Sequence, residues 1–299
     1  MNSTALGERI SGFARLASVE ITSSDGALPA ALAGRLPAGT ALYVAHTPNA
    51  TLAEVAEVAC AAEAAGFRGC PHLVARRIAS RAELGAALGR LRQGGVTRAL
   101  LVAGDLTPPA GEFSSTLDVL DSGVLDDAGL ASLGVAGHPE GNPNIPPAAA
   151  WDALARKQAW GRQSGVAVHV ATQFGFDTEA LATFDRELKA RGIDLPVHVG
   201  VAGPASLKSL AKFAAMCGIG ASLGALLTNP GALVALKSLV KTVDEVFPAI
   251  VRLREGPLAE RLVQPHFFAF GGVLKTVEWL QAVREGRFDL DGDTIALRA

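Results

Sequence analysis

Short apolar or β-branched runs alternate along the chain with longer stretches rich in alanine, leucine, glutamate and arginine. Ala17 to Ile21 (ASVEI) and Ala41 to Ala45 (ALYVA) have the length and residue types of strands. Thr51 to Ala65 reads as a helix, with Thr51 as its N-cap and Gly66 as its stop. Gly69 to Val74 (GCPHLV) is the third predicted strand. A helix follows over Ser80 to Gln93, where Ser80 and Glu83 have capping-box spacing. The alternation continues with a strand at Ala99–Ala103, a helix at Ser115–Asp127, a strand at Leu133–Ala136 and a helix at Ala148–Ser164. Val166–Thr172 (VAVHVAT) is the sixth strand, Asp177–Arg191 a helix capped by Asp177, and Leu195–Val201 the seventh strand. Helices over Ser206–Cys217 and Pro230–Leu253, a strand at Pro265–Phe270 and a helix at Leu274–Glu285 complete the pattern.

Eight strands separated by helices in 299 residues predict an α/β fold, a closed (β/α)8 TIM barrel forming a single domain over residues 1–299. A doubly wound open sheet is the alternative. Its nucleotide-binding form needs G-x-G-x-x-G directly after a strand, whereas Gly218-x-Gly220-x-x-x-Gly224 follows a helix and reads as a helix junction. Composition supports the barrel. Apolar residues make up 49% of the chain but aromatics only 5%, and there are 33 glycines. Small side chains let helices lie close to a parallel sheet that is buried on both faces. The same figures exclude a disordered chain, a disulfide scaffold and a coiled coil.

Charge and cysteine content narrow the partners. A net charge of −2 without a basic stripe gives nucleic-acid binding little electrostatic support. Cys60, Cys70 and Cys217 are too few and too unevenly spaced for a disulfide framework or zinc knuckle. No signal-peptide pattern opens the sequence, so a cytoplasmic location is expected. Phe213 to Leu236 carries no charge, but Asn229-Pro230-Gly231 interrupts it and Lys208, Lys212 and Lys237 flank it. It is read as two buried helices with a capped junction, and no membrane partner is expected.

In a (β/α)8 barrel, catalytic side chains sit at the C-terminal ends of strands. Glu20 lies within an otherwise apolar strand. Burial there raises a carboxyl pKa and suits a general acid, although a salt bridge would also explain it. Asp105 follows Ala103-Gly104, where glycine permits close approach of backbone to ligand. Gln173, after strand six, offers a donor and an acceptor to a ring edge with amide character. His46, His72, His138 with Glu140, and His266 occupy similar places. No H-E-x-x-H or close Cys/His spacing supports a metal, and no G-x-S-x-G elbow supports a serine nucleophile. Cys60 and Cys70 read as core residues.

Ser18-Val19-Glu20-Ile21, Pro71-His72-Leu73, Gly104-Asp105, His138-Pro139-Glu140, Arg156-Lys157 and Thr172-Gln173-Phe174-Gly175-Phe176-Asp177 occur in one order at strand ends. This order resembles the methylenetetrahydrofolate reductase family, over roughly Ala17 to Leu280. The resemblance implies a (β/α)8 barrel that reduces 5,10-methylenetetrahydrofolate to 5-methyltetrahydrofolate, most members using FAD to pass a hydride from NADH or NADPH. It implies Glu20 and Asp105 as catalytic residues, Glu20 protonating folate N10 and Asp105 contacting the pterin and tuning the flavin, and Gln173 with Phe174, Phe176 and Phe268 as substrate-binding residues. His46, His72, Ala103, Gly104, His138, Asn142 and Lys157 fall at cofactor-binding positions.

Several of those cofactor positions depart from the family pattern. Ala103 stands where family members carry the arginine of Arg-Gly-Asp. The tyrosine and histidine of the motif after strand five are gone, the flavin-side aspartate falls near Ala150, His46-Thr47 replaces a Tyr-Gly pair, and Phe270-Gly271 replaces Leu-Asn. A flavin diphosphate needs donors, and each lost arginine removes a charge-assisted bond of about 1.5–3 kcal/mol. The expectation is therefore NAD(P)H acting directly, with FAD bound weakly or not at all, in one-carbon metabolism serving methionine biosynthesis. A conventional FAD-dependent reductase, another pterin or one-carbon methyltransferase barrel, and a non-catalytic regulatory or assembly barrel remain the alternatives. NADH versus NADPH and homo-oligomer formation are open at this point.

Overall fold

The computed structural model describes residues 3–216, 240–270 and 272–298. The junctions expected at Gly218–Gly224 and Asn229–Gly231, the first part of the helix expected from Pro230, Cys217 and Gly271 lie outside the described residues. Among those described, the elements in chain order are α1 (Ser3–Ala14), β1 (Ser18–Thr22), α2 (Leu28–Leu32), β2 (Ala41–Ala45), α3 (Leu52–Ala64) and β3 (Arg68–Val74). A 3-10 turn (Ala75–Arg77) leads to α4 (Arg81–Gln93), β4 (Arg98–Val102), α5 (Thr116–Asp121), β5 (Ser132–Gly137), α6 (Pro147–Ser164) and β6 (Ala167–Thr172). Then come α7 (Thr178–Ala190), β7 (Val197–Ala202), α8 (Leu207–Met216), α9 (Val243–Leu253), β8 (Leu262–Phe268) and α10 (Val273–Arg284). A hairpin of β9 (Phe288–Asp291) and β10 (Thr294–Leu297) ends the chain as a separate two-stranded sheet.

Strands β1 to β8 hydrogen-bond in sequence order as a closed barrel, the (β/α)8 topology the alternation predicts. Closure is parallel, with Ser18 and Val19 of β1 opposite His266 and Phe267 of β8. Contacts divide the chain into two compact units: residues 1–19, 137–150 and 172–299, and residues 20–136 and 151–171.

In the second unit, α3 and α4 begin where sequence chemistry places them. Thr51 Oγ1 accepts from Glu54 N–H, and Glu54 returns the bond to Thr51 N–H. Ser80 Oγ accepts from Glu83 N–H, while the Glu83 carboxylate reaches one residue further back, to Ala79 N–H. The interior of this unit contains Tyr43, Cys70, Leu100 and Ala171. Tyr43 Oη bonds His169 Nε2 at 3.0 Å, and His169 Nδ1 lies 3.2 Å from Ser132 Oγ, so these buried polar groups satisfy one another. Burial pushes the Cys70 thiol up to about 12, which fits a core cysteine and not a nucleophile.

In the first unit, Leu6, Ile10, Phe13 and Ala14 form the buried stripe of α1, and Phe13 stacks on Phe247 of α9. Helix α7 is capped as expected, with Asp177 Oδ1 accepting from the N–H groups of Glu179 and Ala180. The sequence pattern does not predict α1, α2 or the hairpin. Helix α5 ends at Asp121, short of the expected Asp127, because Gly123 adopts a left-handed φ of +73°. Among the described residues no helix is long and apolar enough to cross a membrane.

Close helix–sheet approach has a direct measure. A Cβ added to Gly69 on β3 would lie 2.2 Å from the Ala59 carbonyl oxygen of α3, and one added to Gly161 on α6 would lie 2.5 Å from Val168 of β6. Gly85, exposed on α4, has open space around it. Urea denaturation should therefore separate the two substitutions by sign. Gly69→Ala should lose about 1–3 kcal/mol through overpacking against backbone, whereas Gly85→Ala should gain up to about 1 kcal/mol from helix propensity.

Candidate active site

The second unit holds the acid. Glu20 sits on β1, and its side chain keeps 18% of its exposure. Its Oε2 lies 3.7 Å from Nε2 of His72 on β3, whose side chain is 12% exposed. That separation is too long for a hydrogen bond. Burial pushes the Glu20 carboxyl up to about 8. Burial pushes the His72 imidazole down to about 4, and the nearby His46 acts in the same direction. At neutral pH the pair is therefore an uncharged acid beside an uncharged imidazole, and the proton resides on the carboxyl group.

His46, after β2, is also buried. Its Nε2 lies 3.0 Å from the Ala50 carbonyl oxygen, which fixes the proton on Nε2 and leaves Nδ1 as an acceptor. Burial lowers its pKa, the Ala50 bond opposes this, and the charge of Arg77 adds to the lowering. His46 Nδ1 and His72 Nε2 are both buried without a hydrogen-bond partner. Such atoms are costly unless a ligand or water completes them.

Ala103 and Gly104 follow β4. Gly104 has φ of +83°, and a Cβ there would meet Val74 at 2.4 Å. Asp105 is 88% exposed, and its Oδ1 accepts from Arg77 Nη2 at 3.1 Å. Neither a hydrogen bond nor an ion pair joins Asp105 to Glu20 among the described residues. Lys157 lies on α6, buried, and desolvation lowers its ammonium pKa to about 8. No carboxylate pairs with it among the described residues.

The first unit holds a separate group. His138, Glu140, Gln173 and Phe174 line one cleft. Glu140 Oε1 accepts from Phe176 N–H at 2.8 Å and Asp177 N–H at 3.1 Å, so it fastens the loop after β6. A Cβ on Gly175 would lie 2.5 Å from that oxygen, which accounts for glycine in the TQFGFD segment. Gln173 Oε1 accepts from Phe174 N–H at 3.2 Å. Phe174 and Phe176 are buried and edge-on to each other, and Phe174 packs against the partly exposed Phe268 at 5.7 Å. Asn142 turns inward on its own loop, its Oδ1 accepting from Asn144 N–H. His266 pairs with Ser18 Oγ at 3.0 Å inside the barrel wall. Among the described residues no group of three His, Cys, Asp or Glu side chains could hold a metal ion.

The sequence pattern does not mark Arg77 or Phe213, and Phe270 enters it only as a departure from the family pattern. Phe270 packs on Phe174 at 4.7 Å and stacks on Phe213 at 4.3 Å, extending the aromatic platform. Two consecutive arginines directly after an apolar strand were the available signal for Arg77. The phenylalanines are scattered in sequence and give no such signal.

The closed parallel barrel places the chain among the (β/α)8 barrel proteins. The methylenetetrahydrofolate reductase family description matches residues 36–228, well over half of the chain. The chain belongs to that family, and membership carries a reductase-type function in folate metabolism. Among solved structures, the dihydropteroate synthase of Xanthomonas albilineans is 12% identical with a TM-score of 0.45, the match covering 90% of this chain and 92% of that one. A putative lyase/mutase from Burkholderia cenocepacia is 13% identical with a TM-score of 0.44, covering 95% and 89%. The dihydropteroate synthase of Thermus thermophilus is 13% identical with a TM-score of 0.43, covering 90% and 92%. Likeness at this level says nothing about activity.

The pH dependence of stability follows from the two shifted groups. The native state holds the Glu20 proton more tightly than the unfolded chain does. Glu20 therefore removes stability as pH rises from its ordinary value of 4.5 to about 8. Native His72 refuses a proton that the unfolded chain accepts, so it adds stability as pH rises from about 4 to its ordinary 6.5. The two slopes oppose each other between 4.5 and 6.5, and above that range the Glu20 slope acts alone. Between acidic pH and pH near 8, the stability difference should move in favour of Glu20→Gln by up to about 4 kcal/mol. Urea titrations of both proteins across that range check this, and a difference constant with pH would contradict it.

Proposed function

We propose that this protein reduces 5,10-methylenetetrahydrofolate to 5-methyltetrahydrofolate with a hydride taken directly from NADH or NADPH. The observation that carries this reading is the largely buried carboxyl of Glu20 on the barrel's first strand, where burial favours the protonated form. A carboxylic acid that keeps its proton at neutral pH can give it to folate N10. The bond from N10 to the bridging methylene carbon then breaks, leaving an iminium at N5. A bound reduced nicotinamide supplies two electrons and a hydrogen as hydride to that carbon, giving the N5-methyl group and oxidised nicotinamide. Glu20 is left as a carboxylate and regains a proton from water.

Asp105 and Gln173 are assigned to the folate, the first accepting from pterin N–H donors and the second reading the ring edge. Phe268, backed by Phe174 and Phe176, offers it an apolar face. His46, His72, Gly104, His138, Asn142 and Lys157 are assigned to the nicotinamide dinucleotide. Lys157 is the natural phosphate partner, being a buried ammonium without a carboxylate. The unpartnered His46 Nδ1 accepts a hydrogen bond from the ligand, and His72 Nε2 is completed on binding.

The same residues do not fit a tightly held FAD. Ala103 brings no side-chain donor, His46 presents an acceptor, and the Arg77 guanidinium is engaged by Asp105. The conventional FAD-dependent reaction is the second reading, favoured by the family match and by the retention of His72 and Lys157.

Two measurements test the proposal. Purified protein should lack a stoichiometric flavin band and should oxidise NADH or NADPH with methylenetetrahydrofolate and no added flavin. A yellow protein that needs its flavin overturns the direct route. Glu20→Gln should lower turnover by roughly 10²–10⁴-fold while folate still binds, and near-normal turnover would remove Glu20 from its role.

A further inference from the structure

The loop after β4 is fastened from one place. Arg76 N–H donates to the Ala103 carbonyl, and Ala110 N–H donates to the Arg76 carbonyl. The Arg76 guanidinium donates to the carbonyl oxygens of Ser114 at 2.8 Å and Leu106 at 3.3 Å and to Thr107 Oγ1. Gly111 lies so close to the segment just after that turn that an added Cβ would sit 2.2 Å from the Ala79 carbonyl oxygen. The backbone on both sides of Asp105 is therefore tied to the 3-10 turn that follows β3.

The next residue of that turn ties the side chain. Arg77 is 15% exposed and donates from Nη2 to Asp105 Oδ1 at 3.1 Å, whereas Asp105 is 88% exposed. The asymmetry matters. A carboxylate that open to water, on a loop, has many rotamers available, and a cation held by the protein selects one. Ala103, two residues before Asp105, brings no cation of its own. A cation reaches Asp105 from the neighbouring strand's turn instead.

We propose that Arg77 is the positioning residue for Asp105, holding its carboxylate in the orientation that receives the pterin ring of the folate. The inference rests on the reading that Asp105 contacts the folate. It predicts a defect confined to one substrate. Arg77→Ala should raise KM for methylenetetrahydrofolate about three- to tenfold while KM for the nicotinamide stays within about twofold. Arg77→Lys should recover most of the loss, since the bond is a single N–H to one oxygen. The double variant R77A/D105N should be no worse than D105N alone, because residues acting through one contact are not additive.

The experiment is steady-state kinetics of D105N, R77A, R77K and the double variant, with both substrates varied. An elevated folate KM in D105N together with an unchanged one in R77A overturns the inference and leaves the Asp105 reading intact. An unchanged folate KM in D105N overturns that reading, and the inference with it. A rise in nicotinamide KM alone in R77A makes Arg77 a phosphate anchor and overturns the positioning role, as does a double variant whose two defects multiply.

Discussion

The chemistry proposed for this chain depends on the cost of ionising a carboxyl group that the barrel has largely taken away from water. Glu20 is on a strand, its neighbours Val19 and Ile21 are buried, and the polar group beside it is an imidazole kept neutral by the same burial. Among the described residues no cation stands against the carboxyl to favour its charge. The energy that would ionise it in water is withheld by the fold, so the proton remains available at a pH where an exposed glutamate has lost it. The same burial makes the residue a burden on stability above neutral pH. That is the ordinary relation between a functional group and the structure that strains to keep it.

A barrel with so few aromatics reaches that degree of enclosure through closeness. Gly69 and Gly161 let helix and strand backbones approach to distances that no Cβ would allow. In the second unit, Tyr43, His169 and Ser132 satisfy each other in the interior. Higher up, His46 and His72 keep a nitrogen each that the protein does not satisfy. In the proposal above, those two nitrogens are the ones a ligand completes.

Much of this was legible in the chain. Periodicity located all eight barrel strands, because a parallel strand buried on both faces must be a short apolar run between helices. The caps at Thr51, Ser80 and Asp177 were equally readable, since they depend on residues at most four apart. Glu20 stood out because an acid in an apolar strand has few innocent explanations. Helix α1 and the C-terminal hairpin were missed because they carry no strong caps and owe their form to packing. Arg77 was missed because its meaning lies in Asp105, 28 residues later. The aromatic platform of Phe174, Phe213, Phe268 and Phe270 exists only once distant segments are folded together. Local rules exposed local features, and contacts across strands needed coordinates.

The central claim is that Glu20 is a carboxylic acid at neutral pH, and its protonation state can be observed without turnover. Infrared difference spectra of the native protein against Glu20→Gln, recorded across a pH series, isolate the carboxyl stretch of this one residue. A protonated band that persists through neutral pH and disappears with a midpoint near 8 is the result expected. A band already lost at the ordinary carboxylate value near 4.5 would contradict the account at its foundation.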